Sequence, residues 1–219
     1  MFIKSEDYRL EVLRLYEILD TAAEANFDNF TELASLICET PISLVSIVSK
    51  DRQWFKSNKG LAADETPRSI SFCGKAIEQD KPFIIEDALA DPRFDHNPLV
   101  TGAPNIRFYA GIPLTVEEGV TLGTLCVIDT VPRKLEGPQL EALKRLGQGV
   151  TDLMELRRKA HILKKLSALF PICSWCNSVL TADAEWVSMN SYLSDNMPST
   201  HGVCPTCLDR ELELLDNEV

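Results

Sequence analysis

The chain's 219 residues suffice for one ordinary domain of about 150 residues and a smaller appendix, and no apolar run approaches the ~20 residues that cross a bilayer. The formal net charge of −11 is uneven: residues 170–219 carry eight carboxylates against Arg210 alone, a net of −7 that leaves −4 for the rest. A reader of nucleic acid neutralises phosphates with Lys and Arg, so neither nucleic acid nor a membrane is an expected partner.

The N-terminus, MFIKSEDYRLEVLRLYEIL, reaches acidic residues at once and has neither a basic start followed by a purely apolar stretch nor a small-residue cleavage site. This predicts a cytoplasmic location. Thiols are kept reduced there, so the seven cysteines are expected as core residues, metal ligands or reactive thiols rather than as a disulfide framework.

In chain order, residues 7–19 and 25–38 carry apolar residues at helical spacing (Leu10, Leu13 and Ile18, then Phe27, Phe30, Ala34 and Ile37), with a corner at Asp20-Thr21. PISLVSIVS at 41–49 is β-branched and pairs as a hairpin with QWFKSN at 53–58. Residues 69–79 read as a helix, PFIIED at 82–87 as a third strand, and the Asp- and Pro-rich stretch 91–104 as a loop with at most a short helix. NIRFYAGIPLTV at 105–116 and VTLGTLCVID at 120–129 are the strongest strand signals, joined by the tight turn Glu117-Glu118-Gly119, and should lie centrally in an antiparallel sheet. From Pro138 a leucine-rich stripe continues to Leu169, and Pro171 stops it. Within that helix Leu143, Leu146, Val150 and Leu153 alternate at three and four residues, as the seam of a coiled-coil homodimer does.

The last segment holds CSWC at 173–176 and CPTC at 204–207, separated by 27 residues. Each Cys-x-x-Cys turn brings two soft ligands to one side, so Cys173, Cys176, Cys204 and Cys207 predict a tetrahedral structural zinc site. Four protein thiolates leave no open position for water, which makes the metal structural rather than catalytic. An iron–sulfur cluster also takes four thiolates, and two redox-active pairs are the competing reading. Ile172, Trp175, Val179, Trp186, Tyr192, Leu193 and Val203 are expected to form a small core around the metal. Cys38, Cys73 and Cys126 read as buried apolar side chains, and of these only Cys73, near Lys75 and at a predicted helix start, has any feature of a reactive thiol. There is no glycine-rich phosphate loop, no Gly-x-Ser-x-Gly elbow and no His at metal spacing to a carboxylate, so no catalytic constellation emerges and the chain is not expected to be an enzyme. His96 and its polar neighbours Asp91, Arg93, Asp95 and Asn97 read as turn and capping residues, or as a lid over a cavity.

Five blocks in order, LYEILDTAAEANFDNFTELASLICETPISLVSIVSKDRQWFKSNKGL, ETPRSISFCGKAI, DALADPRFDHNPLV, IRFYAGIPL and GTLCVIDTVPRKL, resemble the GAF domain family of bacterial signalling proteins, from about residue 9 to 157. The resemblance implies an α+β fold: a six-stranded antiparallel sheet with helices packed behind it and a ligand cavity in front. It implies a sensory module that binds a small molecule or mediates dimerisation, with Trp54, Phe72, Arg93, Arg107, Tyr109 and Asp129 near the cavity. The Cys-His pair of bilin-binding members and the NKFDE-type set of cyclic-nucleotide-binding members are not found. The tail, with PICSWC, Trp186, Tyr192 and THGVCPTC, resembles a four-cysteine element that follows PAS, GAF or receiver domains.

Together these readings divide the chain into a GAF domain at 1–157, a connecting and dimerising helix at 138–169, and a zinc-ribbon-like module at 170–219. The expected protein is a cytoplasmic signal-transduction homodimer that takes a small-molecule effector and passes its output to a protein partner through the zinc module. The alternative is a thiol redox switch, or a GAF-type reductase that uses the Cys-x-x-Cys pairs.

Overall fold

The computed structural model describes residues 5–167, 171–181 and 183–196, without the side chains of residues 166, 167 and 196. The chain divides into two compact units, Met1–Ile162 and Leu163–Val219.

In the first unit, α1 (Glu6–Tyr16) begins where the Ser5 hydroxyl accepts the Tyr8 N–H, and it ends at Glu17, whose left-handed φ of 44° breaks the helix. Helix α2 (Ala25–Cys38) ends the same way at Glu39. The sheet comprises β1 (Ile42–Val48), β2 (Arg52–Lys59), β3 (Glu65–Pro67), β4 (Phe83–Ile85), β5 (Phe108–Glu117) and β6 (Val120–Asp129), ordered β3-β2-β1-β6-β5-β4 with every pair antiparallel. This is the six-stranded α+β arrangement that the sequence predicts.

The central strands β1 and β6 are buried along their whole length. Alternation then divides their side chains between two cores. Val45, Ile47, Leu125 and Val127 join α1, α2 and the long helix α5 (Gly137–Ser167) behind the sheet, while Ile42, Leu44, Cys126 and Ile128 face a second core in front. Close pairing at this centre depends on Gly123, where a Cβ would lie 1.9 Å from the Ser46 carbonyl oxygen.

Buried cations fasten the back layer. The Lys56 ammonium, fully enclosed, donates to Thr21 Oγ1 at 2.9 Å, the Ala22 carbonyl at 2.7 Å and Glu24 Oε1 at 2.6 Å. From α5, Arg157 reaches the same Glu24 carboxylate at 2.9 Å and the Tyr16 and Glu17 carbonyls, so the corner between α1 and α2 has its orphan acceptors satisfied.

Three elements differ from the sequence reading. The strand at Glu65–Pro67 was not anticipated, because three residues with a terminal proline and no apolar alternation give no strand signal; it pairs only with β2 at the sheet edge. The helix predicted over 69–79 is broken by Ser71, which stays extended and caps a short helix α3 (Phe72–Ala76) by accepting the Gly74 N–H at 2.8 Å, leaving a 3-10 turn at Arg68–Ile70 before it. The third difference concerns α5. Leu143 and Val150 are fully buried against the sheet, and Leu146 and Leu153 pack against the same core. The predicted coiled-coil seam is therefore spent inside the protomer, and Leu156 is left exposed.

In the second unit the described residues form a two-stranded ribbon, β7 (Val179–Leu180) with β8 (Trp186–Val187), and a helix α6 (Met189–Asn196). Val179 is buried, whereas Ile172, Trp186 and Trp175 are exposed, the last by 96%. Tyr192 and Leu193 on α6 are half-buried, and Val203, the last of the apolar residues expected around the metal, lies outside the described residues.

The direction of the α5 stripe can be tested by truncation. Leu143→Ala should lower unfolding free energy by about 2–5 kcal/mol, and Leu156→Ala by less than about 1 kcal/mol, in urea titrations of the full chain.

Candidate functional site

On the front face of the sheet lies a cavity of about 320 Å³. Its floor is Ile42, Leu44, Tyr109 and Ile128 from three strands, one wall is Phe72 and Cys73 on α3, and its rim is formed by residues 60–63 and by Leu99, Ala103 and Pro104. The 91–104 loop reaches this rim because it is anchored. Asn97 caps the single turn α4 (Pro98–Thr101) by accepting the Leu99 N–H at 2.9 Å, and its amide donates to the Ile70 carbonyl at 2.9 Å. The loop therefore does capping work and closes the cavity at once. None of the described residues that line the cavity is charged; its polar groups are Gln53, Thr66, Cys73 and Tyr109.

At the base, Tyr109 lies flat along its strand with its hydroxyl in the space left by Gly111, where a Cβ would fall 2.3 Å from that oxygen. The ring stacks on Phe72 at 5.3 Å between centroids, and Phe72 stacks on Phe94 at 4.3 Å. The hydroxyl donates to Cys73 Sγ at 3.4 Å and lies 3.5 Å from Thr124 Oγ1, and Cys73 Sγ lies 3.8 Å from Cys126 Sγ. Ser46 Oγ is buried beside this cluster without a hydrogen-bond partner among the described residues.

Burial, and then the nearby thiols, push the Tyr109 hydroxyl well above its ordinary pKa, so it remains a fixed donor. Burial also raises Cys73, but hydrogen bonding from Cys126, Thr124 and Tyr109, with Ser46 near, outweighs it and brings that thiol down; Cys126, burdened first by burial and then by Cys73, goes up. Cys38, behind the sheet with burial as the cause, is pushed up to about 11.

Of the six residues implied by resemblance, Phe72 and Tyr109 line the cavity and the other four do not. Trp54 sits on the opposite face of β2 and packs against the back core, because the strand's alternation gives the front to Gln53. Arg107 is half-buried and donates to the Val100 carbonyl at 2.9 Å and the Ile106 carbonyl at 3.0 Å, closing the end of α4. Asp129 is buried at the end of β6, where it accepts the Thr130 N–H at 2.6 Å and pairs with Arg133, shaping a turn. Arg93 pairs with Asp91 at 2.6 Å and covers the rings of Phe83 and Phe94. It borders a separate polar hollow of about 500 Å³, whose other cation, Lys75, pairs with Glu78 at 3.0 Å.

Cys126 is a core residue, as the sequence predicts, but the packing of α3 also sets it beside Cys73. The hairpin around Glu117–Gly119 sets Gly111 opposite Cys126 and Tyr109 opposite Ile128, so all four share a face.

In the second unit, the Cys173–Asn177 turn is closed by Asn177 N–H to the Cys173 carbonyl at 2.9 Å and Cys173 N–H to the Ser178 carbonyl at 2.8 Å. Hydrogen bonds from Ser178 lower the Cys176 thiol pKa. Cys204 and Cys207 lie outside the described residues.

The GAF domain model matches residues 18–152, more than half of the chain and the whole of the cavity. The chain belongs to the GAF domain family. A cyclic di-GMP phosphodiesterase of Pseudomonas aeruginosa is 47% identical over 124 residues, 57% of this chain but only 21% of that relative's length. Among solved structures, this GAF domain is similar to that of an Acinetobacter phosphoenolpyruvate-protein phosphotransferase, at TM-score 0.53 and 16% identity over 73% of this chain and 98% of the other. It is also similar to a free methionine-R-sulfoxide reductase of Neisseria meningitidis, at TM-score 0.52 and 18% identity over 73% and 97%. At such identities the likeness is one of fold.

The fit of Tyr109 over Gly111 is open to a thermodynamic cycle. Gly111→Ala should cost about 1–3 kcal/mol by overpacking. Because the added methyl meets the hydroxyl end of the ring, Tyr109→Phe should relieve part of that cost, so the double variant falls short of the sum by more than about 0.5 kcal/mol in urea denaturation.

Proposed function

We propose that the chain is a sensory signalling protein whose GAF cavity binds a small, uncharged, largely apolar effector, and whose output passes through α5 and a four-cysteine zinc module to a protein partner. The observation that carries the effector is the cavity itself: about 320 Å³ under anchored loops, apolar except for Gln53, Thr66, Cys73 and Tyr109. A phosphate-bearing ligand such as a cyclic dinucleotide would leave its charges unpaired there, since none of the described lining residues is a cation. The relative's phosphodiesterase activity is not carried over, because the match spans only 21% of its length; the common 124 residues support a shared sensory module.

The zinc reading rests on the spacing of Cys173, Cys176, Cys204 and Cys207 and on the turn that presents the first pair. Zinc bound there would staple the module and present its acidic surface for docking. The homodimer reading moves to new residues. With the Leu143–Leu153 stripe packed against the sheet, exposed apolar side chains such as Leu33 and Leu36 on α2 and Leu156 on α5 offer a surface to a second copy.

Native mass spectrometry of the full chain, purified from its own host, tests all three components. The expected spectrum shows a dimer, one zinc per chain lost in Cys173→Ser, and a small neutral adduct lost in Ala62→Phe, a substitution at the exposed cavity rim. Metal-free protein with the cysteine pairs as disulfides would replace the zinc reading by the redox one. No adduct under native conditions, with none gained on exposure to host extract, would reduce the GAF domain to a scaffold.

A further inference from the structure

Two of the cysteines are placed for chemistry beyond the binding of an effector or of zinc. Cys73 on α3 and Cys126 on β6 are 53 residues apart in sequence, yet their sulfurs are 3.8 Å apart inside the front core. Cys73 lines the cavity and Cys126 does not, so a small molecule in the cavity meets one thiol and not the other. Around them stand three hydroxyls: Tyr109 donating to Cys73 Sγ at 3.4 Å, Thr124 next to Tyr109, and the buried Ser46 beside Cys73. Purely structural buried cysteines have no need of such company; Cys38, packed alone among apolar side chains of the back core, shows the contrast.

We propose that Cys73 and Cys126 form an oxidation site, in which a hydroperoxide entering the cavity oxidises Cys73 and Cys126 then closes an internal disulfide. In the first step the Cys73 thiolate attacks the distal peroxide oxygen. The O–O bond breaks, Cys73 becomes a sulfenic acid, and the leaving hydroxide or alkoxide takes a proton to depart as water or alcohol. In the second step Cys126 sulfur, losing its proton, attacks Cys73 sulfur and expels hydroxide, which leaves as water when it takes a proton. The peroxide has then gained two electrons and the two thiols have lost them. Closing to an S–S bond of about 2.05 Å requires the sulfurs to approach by about 1.8 Å, from their present separation of 3.8 Å, within reach of side-chain rotation and a small shift of the five-residue helix α3. A dithiol reductant reverses the change by exchange.

The geometry assigns the roles: Cys73 is attacked first because it borders the cavity, and Cys126 resolves because it is shielded. Tyr109 supports the first step. Its hydroxyl stays protonated and donates to Cys73, favouring the thiolate that reacts.

Peptide mapping of the full wild-type chain decides the matter, with no variant required. After brief treatment with hydrogen peroxide under native conditions, alkylation in denaturant and digestion, a Cys73–Cys126 linked peptide should form, about 2 Da lighter than the sum of the two free peptides, and disappear with dithiothreitol. Cys38 should remain a free thiol. In Cys126→Ala the linkage is lost and Cys73 accumulates as a sulfenic acid trapped by dimedone, and Tyr109→Phe should slow the wild-type reaction several-fold. Recovery of Cys73 and Cys126 as free thiols while Cys173 or Cys176 is oxidised would overturn the proposal, as would Cys73 linked to any other cysteine.

Discussion

Strands β1 and β6 lie side by side at the centre of the sheet with neither face open to water, so every side chain along them must find a packing partner on one side or the other. That requirement divides the molecule. Behind the sheet, Val45, Ile47, Leu125 and Val127 are covered by α1, α2 and α5, a layer held at its corner by Lys56 and Arg157 around Glu24. In front are only the short helices α3 and α4 and a set of loops, which bury Ile42, Leu44 and Ile128 without filling the space above them. The cavity is what remains. Its apolar character comes from Ile42, Leu44 and Ile128 on the central strands together with Leu61, Ala62, Ala63, Leu99, Ala103 and Pro104 around the rim.

The same constraint explains the base of the cavity. A tyrosine on β5 must either project across the front space or lie down, and Gly111 two residues later gives its hydroxyl room to lie down toward β6. There it meets Thr124, Cys126 and, from α3, Cys73. A polar cluster thus forms at the floor of an otherwise apolar space, where low dielectric strengthens each hydrogen bond and makes an unpartnered group such as Ser46 costly. Removing Gly111 or moving α3 would disturb the aromatic stack of Tyr109, Phe72 and Phe94 together with the sulfur pair.

Much of this architecture is legible in the residues. The hairpin 105–129 and the helices 7–19 and 25–38 announce themselves by period; α2 and β6 have the predicted bounds, whereas α1 stops at Tyr16 and β5 starts at Phe108. What could not be read is set by context rather than by local preference. Glu65–Pro67 becomes a strand only because β2 offers an edge to pair with. The α5 stripe fits a partner helix or a sheet equally well on periodicity, and the sheet takes it. Arg107 and Asp129 look like site residues by type, but each is used to satisfy backbone groups at the end of an element. Trp54 is turned to the back core by the alternation of a strand whose orientation no single residue reveals. The sulfur pair could not be read, because the β5–β6 pairing is irregular between Leu114 and Glu117 and Cys73 reaches Cys126 only through the packing of α3.

The central claim is that the front cavity is a binding site for an uncharged small molecule. A crystal structure of the full chain purified from its own host tests it most directly. The account predicts continuous density for a neutral ligand between Phe72, Leu99 and Tyr109, above the Cys73–Cys126 pair. A cavity closed by its own side chains, or an anionic ligand held instead in the polar hollow beside Lys75 and Arg93, would contradict it.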